Sequence, residues 1–237
     1  MPAPFPVRPL AWFVAQLQAG TPFAFSRWGD GEWHAVLGRV RGHNCDRHPF
    51  SLPLSQALRA VLDSRPPYLL GMQRLAQRIM GPRIRAYLEP RTLHRLDWID
   101  ADVFHDASRL GQLGPLVAAL NARAVLLVGP PHLSKLSPWL GWQQRLEVPL
   151  VDCWAQYGQL RQDVAAVLRA ARTSLVVGLS CGMPAKVLLH DLFHDFGRQH
   201  TLVDFGSVWD VYAGVPSRVY MRAMSPGLPG ETGHATT

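Results

Sequence analysis

The sequence predicts an α/β fold, a single Rossmann-like domain whose mostly parallel sheet carries helices on both faces. Two observations predict it. Short apolar runs of strand length alternate along the chain with segments of helical spacing, the pattern of strands joined by crossover helices. Apolar residues also make up 48% of the 237 positions, enough to cover a sheet on both sides.

The elements follow in order. Leu10, Phe13, Val14 and Leu17 have the spacing of an amphipathic helix packed on the domain, preceded by four prolines and unlike a secretory leader. Strands are expected at Phe23–Phe25, Tyr68–Leu70, Ala124–Gly129, Val148–Val151, Ser174–Leu179 and Thr201–Gly206. Helices are expected at Leu54–Leu62, Leu75–Leu88, Leu110–Leu120, Leu160–Ala171 and Ala185–Phe196. No repeat or linker divides residues 1–224, which read as one domain. From Ser225 the chain is small, polar and rich in Pro and Gly, so residues 225–237 read as a disordered tail.

Composition narrows the class. A net charge of +7 and a pI near 9.9 ask for an anionic partner: phosphate, nucleic acid or a membrane surface. The basic residues are scattered, and no aromatic-interleaved basic run marks a nucleic-acid binder. Only Lys135 and Lys186 among the 24 basic residues are lysine, which marks two positions where a compact ammonium is wanted. Cys45, Cys153 and Cys181 are too few and too widely spaced for a disulfide framework, which indicates a reducing, cytoplasmic setting. No apolar run reaches the roughly 18–20 residues of a membrane span, and nothing sets an oligomeric state.

In a parallel α/β sheet, ligands sit beyond the carboxyl ends of the strands. Four stretches there are chemically unusual: "SRWGDGE", "GPPHLSK", "GLSCGMPAK" and "DFGSVWD". In the first, Asp30 and Glu32 stand on a short glycine-flanked turn just after Arg27. Two neighbouring carboxylates of this kind suit a hard divalent cation, Mg²⁺ or Mn²⁺, with a diphosphate as co-ligand. Gly29 and Gly31 let the backbone come close, and Arg27 pairs with phosphate bidentately. The competing reading is a helix cap with Glu32 in the first turn. In "GLSCGMPAK" a strand turns through Ser180 and Gly182 into a helix whose free N–H groups favour an anion, with Lys186 as an added charge. The spacing fits neither a Walker A loop nor a dinucleotide fingerprint. Pro130 and Pro131 stiffen a loop that aims His132 and Lys135 over the sheet edge.

Three other chemistries lack part of their residue set. His43, Cys45, Asp46 and His48 lack a second pair at zinc-finger spacing, and His190 and His194 lack the glutamate of a zinc protease. Gly178-x-Ser180-x-Gly182 matches a nucleophile elbow, but the order Ser…Asp…His finds no well-placed late histidine, since His200 precedes Asp204 and His234 lies in the tail.

At this point "FSRWGDGEW" resembles the R-[FYW]-G-D-G-E signature of the GT-D-type glycosyltransferases, bacterial sugar transferases with a Rossmann-like fold and a D-x-E metal motif. The similarity continues through "NCDRH", "LLVGPPHL", "GLSCGMPAKVLLHDL" and "LVDFGSVWDVYAG", in order, over about Phe23 to Arg218. The resemblance implies a nucleotide-sugar donor, usually uridine diphosphate-linked, with Asp30 and Glu32 at the metal and diphosphate. It leaves the acceptor open, a hydroxyl on a glycan, peptide or other molecule. In this reading Arg27 and the metal stabilise the departing diphosphate, while Lys186, Lys135, Ser180 and Gly182 hold other phosphate oxygens. Asp204 or Asp210 takes the acceptor proton. Trp28, Trp33 and Trp209 belong to the core or stack on a sugar or base. The alternatives are a transferase acting on a modified nucleic-acid base, a non-catalytic nucleotide or nucleic-acid binder, and a serine hydrolase.

Overall fold

The computed structural model describes residues 5–224, apart from 46, 138, 139 and 143 and the side chains of 220 and 223. Seven strands form one sheet: β1 (Ala24–Trp28), β2 (Leu69–Met72), β3 (Trp98–Asp100), β4 (Ala124–Gly129), β5 (Gln144–Glu147), β6 (Leu175–Leu179) and β7 (Thr201–Asp204). Their order is β3-β2-β1-β7-β6-β4-β5, and every strand pairing is parallel. Eight α-helices among the described residues accompany it: α1 (Leu10–Ala19), α2 (Asp30–Val36), α3 (Leu52–Asp63), α4 (Arg74–Leu88), α5 (Val103–Arg109), α6 (Gly114–Asn121), α7 (Tyr157–Ala170) and α8 (Pro184–Phe196). None is long and apolar enough to cross a membrane.

Side-chain alternation along the strands builds two cores. Leu126 and Val128 of β4, Val177 of β6 and Leu202 of β7 point to one face, where α2, α3, α4, α7 and α8 pack. Val125 and Leu127, Val176 and Val203 point to the other, covered by α1, α5 and α6. Both faces are buried, which is why these strands read as continuous apolar runs. On α1, Phe13, Val14 and Leu17 are the buried residues, and Gly20 closes the helix at φ 69°. Trp28, Trp33 and Trp209 are wholly enclosed in the cores.

The expected elements differ from the structure at both sheet edges. Val148–Val151 is not a strand. The edge strand is the preceding Gln144–Glu147, whose polar residues are half-exposed. At the other edge, β3 is only three residues long and was not expected. Helix α5 was likewise unforeseen, and Leu110–Leu113 lie before α6 instead of within it. The tail 225–237 and Asp46 fall outside the described residues.

Candidate active site

The four unusual stretches leave the carboxyl ends of β1, β4, β6 and β7, and residues of each line a single cavity of about 380 Å³. Arg27, Asp30, His132, Ser180, Ser207 and Asp210 are among its walls. β1 is flanked by β2 and β7, so the turn after it opens in the middle of the sheet. This volume lies within the usual range for small-molecule sites.

The β1 turn is built tightly. Glu32 Oε2 accepts the Gly29 N–H at 2.8 Å and caps α2, and Gln73 Oε1, just past β2, accepts the Asp30 N–H at 3.0 Å. A methyl group on Gly29 would stand 3.1 Å from both of those oxygens and 3.5 Å from Arg27 Nη1, so only glycine fits without a shift. Arg27 is held from the side: its Nη2 donates to Asp102 Oδ1 at 3.2 Å, while Asp102 Oδ2 accepts from the Arg74 N–H and Nε. The Arg27 Nε is buried without a hydrogen-bond partner among the described residues.

Glu32 and Lys186 form part of a buried ion cluster. Lys186 Nζ lies 2.7 Å from Glu32 Oε1 and 2.9 Å from Asp204 Oδ2, and it also donates to the Gly182 carbonyl. All three side chains are almost fully enclosed. Burial opposes the Glu32 charge, but Lys186, the hydrogen bonds it accepts and Arg27 together outweigh that and lower its pKa. Burial likewise opposes the Lys186 charge, and Asp204 and Glu32 together raise its pKa above the ordinary value. The remaining oxygen of Asp204 accepts the Gly206 N–H at 3.0 Å, and its Oδ2 also accepts the Arg27 N–H at 3.2 Å.

This placement bears on each expected role. Lys186 reaches the cavity wall, yet its ammonium already faces two carboxylates. Lys135 is exposed on the turn after β4 and is not part of the cavity wall. Asp204 has no oxygen turned to the cavity. Asp210 does line it, with Oδ1 3.0 Å from His132 Nε2 and Oδ2 accepting the Ser217 hydroxyl. Gly182 sits at φ 69°, and a Cβ there would come 3.0 Å from the His48 ring. Ser180 Oγ is buried without a hydrogen-bond partner among the described residues, none of which assembles a triad around it. Cys181 beside it is hydrogen-bonded to Cys153, which together with burial pushes its pKa well above the usual thiol range. That shift favours the neutral thiol over the reactive thiolate.

A divalent cation was expected between Asp30 and Glu32. Asp30 fits: its half-buried carboxylate lines the cavity and forms no hydrogen bond or ion pair with another described residue. Glu32 fits less well as a direct ligand, because one oxygen caps Gly29 and the other contacts the Lys186 ammonium. No three His, Cys, Asp or Glu side chains among the described residues converge into a closed metal cage. A donor set this open suits an ion that keeps water and phosphate oxygens in its shell.

Sequence reasoning missed Gln73, Asp102, Asn44 and the apolar stretch Val148–Val151. Gln73 and Asp102 directly follow β2 and closely follow β3, so strand-end position was the available signal. Asn44 carries a short hairpin: its N–H donates to the His48 carbonyl, and its Oδ1 accepts the His48 N–H. That hairpin brings Asn44, Cys45, Arg47 and His48 to the cavity.

Comparison with solved structures places the architecture. A glycosyltransferase of domain of unknown function 1792 from Streptococcus sanguinis superposes with a TM-score of 0.62 at 17% identity, covering 89% of this chain and 86% of that one. A structure of the same domain, described as a distinct glycosyltransferase fold, gives 0.59 at 14% identity over 89% and 83%. This chain has their fold. A selenomethionine-substituted structure of that domain agrees, with a TM-score of 0.62 at 15% identity over 89% and 83%. No protein-family model and no curated protein sequence matches the chain.

Proposed function

We propose that this protein is a glycosyltransferase that moves a sugar from a nucleoside-diphosphate donor, uridine diphosphate-linked, to a hydroxyl of a glycan or peptide acceptor. The observation that carries the reading is the Asp30 carboxylate, unpaired among the described residues, in one cavity with Arg27 at the carboxyl ends of a sheet with a glycosyltransferase fold. Asp30 supplies the carboxylate for Mg²⁺ or Mn²⁺, and Glu32 holds the turn that presents it. When bound, the ion neutralises charge growing on the departing diphosphate. Arg27, oriented by Asp102, binds a phosphate oxygen through its free donors, and Ser180 Oγ donates to another. Val148–Val151 provides an apolar wall for the base or sugar.

The test is a thermal-shift titration with uridine diphosphate, with Mn²⁺ or with a chelator. Ligand at 100 to 1,000 times its Kd stabilises by roughly 3–4 kcal/mol, so a clear rise in melting temperature is expected with Mn²⁺ and a much smaller one with chelator. Equal shifts under both conditions remove the metal from the reading. No shift with any nucleoside diphosphate overturns it.

A further inference from the structure

We infer that His132, backed by Asp210, is the group that takes the proton from the attacking hydroxyl, and that transfer therefore inverts the anomeric carbon. This rests on the glycosyltransferase reading above. His132 is the second residue of the 3₁₀ turn Pro131–Leu136 after β4, stiffened by Pro130 and Pro131 and pinned by the buried Leu133 and Leu136. Arg145 Nη1 adds a bond to the Pro131 carbonyl at 3.1 Å. The imidazole is thus positioned by a rigid element and not by a loose loop.

The tautomer follows from its partner. Asp210 Oδ1, 3.0 Å from Nε2, belongs to a carboxylate that accepts hydrogen bonds, so the ring proton sits on Nε2 and the lone pair on Nδ1. Ser217 fixes the other Asp210 oxygen by donating its hydroxyl. The two side chains are 15% and 12% exposed, open enough to meet a substrate and closed enough to keep their geometry. Both line the cavity that holds Asp30 and Arg27. Asp204, the other acid of the β7 loop, is enclosed by Lys186 and two backbone N–H groups and has no oxygen to offer.

The step balances as follows. The acceptor proton passes to His132 Nδ1, and the acceptor oxygen forms its bond to the sugar C1. The bond from C1 to the diphosphate oxygen breaks, and its electron pair leaves on the diphosphate. The imidazolium, stabilised by Asp210, then releases the proton to solvent.

Hydrolysis of a panel of uridine diphosphate sugars tests this with water as the acceptor. In His132→Ala, kcat should fall by about 10²-fold or more while KM stays within about threefold. Sodium azide, an anionic nucleophile with no proton to lose, should restore turnover and yield the glycosyl azide. Proton NMR of the parent reaction should show the inverted sugar first. His132→Gln, which keeps a hydrogen bond to Asp210, should lose as much if the alanine variant does not fold. Asp210→Asn, a positioning change, should lower kcat about tenfold and also respond to azide. Parental hydrolysis in both His132 variants, a loss that azide does not relieve, or retained configuration would overturn the assignment. A parent protein that hydrolyses no uridine diphosphate sugar overturns the transferase reading itself, and does so before any variant is made.

Discussion

Replacing Lys186 by methionine keeps the length of the side chain and removes its charge from between two buried carboxylates. Glu32 Oε1 and Asp204 Oδ2 both contact the same ammonium, at 2.7 and 2.9 Å, so they lie within about 6 Å of each other. At an effective dielectric near 20, two like charges at about 6 Å repel by about 3 kcal/mol. Breaking a buried pair by deleting one partner typically costs about 3–5 kcal/mol. For a domain of this size each kcal/mol is roughly 2–4 °C, so the melting temperature should fall by roughly 6–20 °C. Thermal and urea unfolding at pH 7 measure it. The triple variant Glu32→Gln, Lys186→Met, Asp204→Asn should recover more than half of the loss, because a neutral cluster leaves no charge stranded. A Lys186→Met protein that melts within about 2 °C of the parent but no longer binds uridine diphosphate would refute the reasoning and return Lys186 to the phosphates.

Asp30→Asn should leave the melting temperature within about 2 °C and lower turnover by about 10²-fold, since the change removes only a half-buried cavity-wall charge that acts on the transition state. A folded variant at the parental rate would remove Asp30 from the chemistry. Glu32→Gln should chiefly destabilise, and in a pH-dependent way. The Glu32 pKa is lowered on folding, so its contribution is complete above the ordinary carboxylate range and disappears as pH falls through the lowered value. The stability gap between parent and variant should therefore narrow on acidification below about pH 4, where a constant gap in urea unfolding would contradict the ion cluster. Ser180→Ala should change turnover by no more than about tenfold. A loss of several orders of magnitude with donor binding intact would instead mark a nucleophile.

What could be read from the sequence depended on burial. β4, β6 and β7 are covered on both faces, and their apolar runs located them to within a residue or two. The edge strands β3 and β5 are a different matter. β5 exposes polar Gln144 and Glu147 and half-buries Arg145, and an Arg145–Glu147 ion pair also blunts the edge against further pairing. The neighbouring Val148–Val151 looked more like a strand because it is apolar, yet it lies on the cavity rim with Leu150 60% exposed. In the site, residue types were legible and partnerships were not. The Asp30 turn announced itself through local spacing alone. That Arg27 meets Asp204 across 177 positions, or His132 meets Asp210 across 78, follows only from strand order. Lys186 stood out by its rarity, and the structure places it buried between two acids, which composition cannot express.

The strand order also governs how the molecule can be made. β7, the last strand of the described chain, occupies the centre of the sheet, with β1 on one side through Ala24↔Leu202 and Phe25↔Val203 and β6 on the other through Val176↔Thr201. Until Thr201–Asp204 has left the ribosome, the nascent chain can assemble only two half-sheets, each with an open apolar edge. Such edges pair readily with other chains, so a synthesis stalled between α8 and β7 should be the most aggregation-prone stage. Closing the sheet joins the N-terminal and C-terminal strands, a contact of long sequence separation that makes the final step of folding slow. The same event brings Asp204 to Lys186 and Asp210 to His132, so the candidate site is assembled only when the sheet closes.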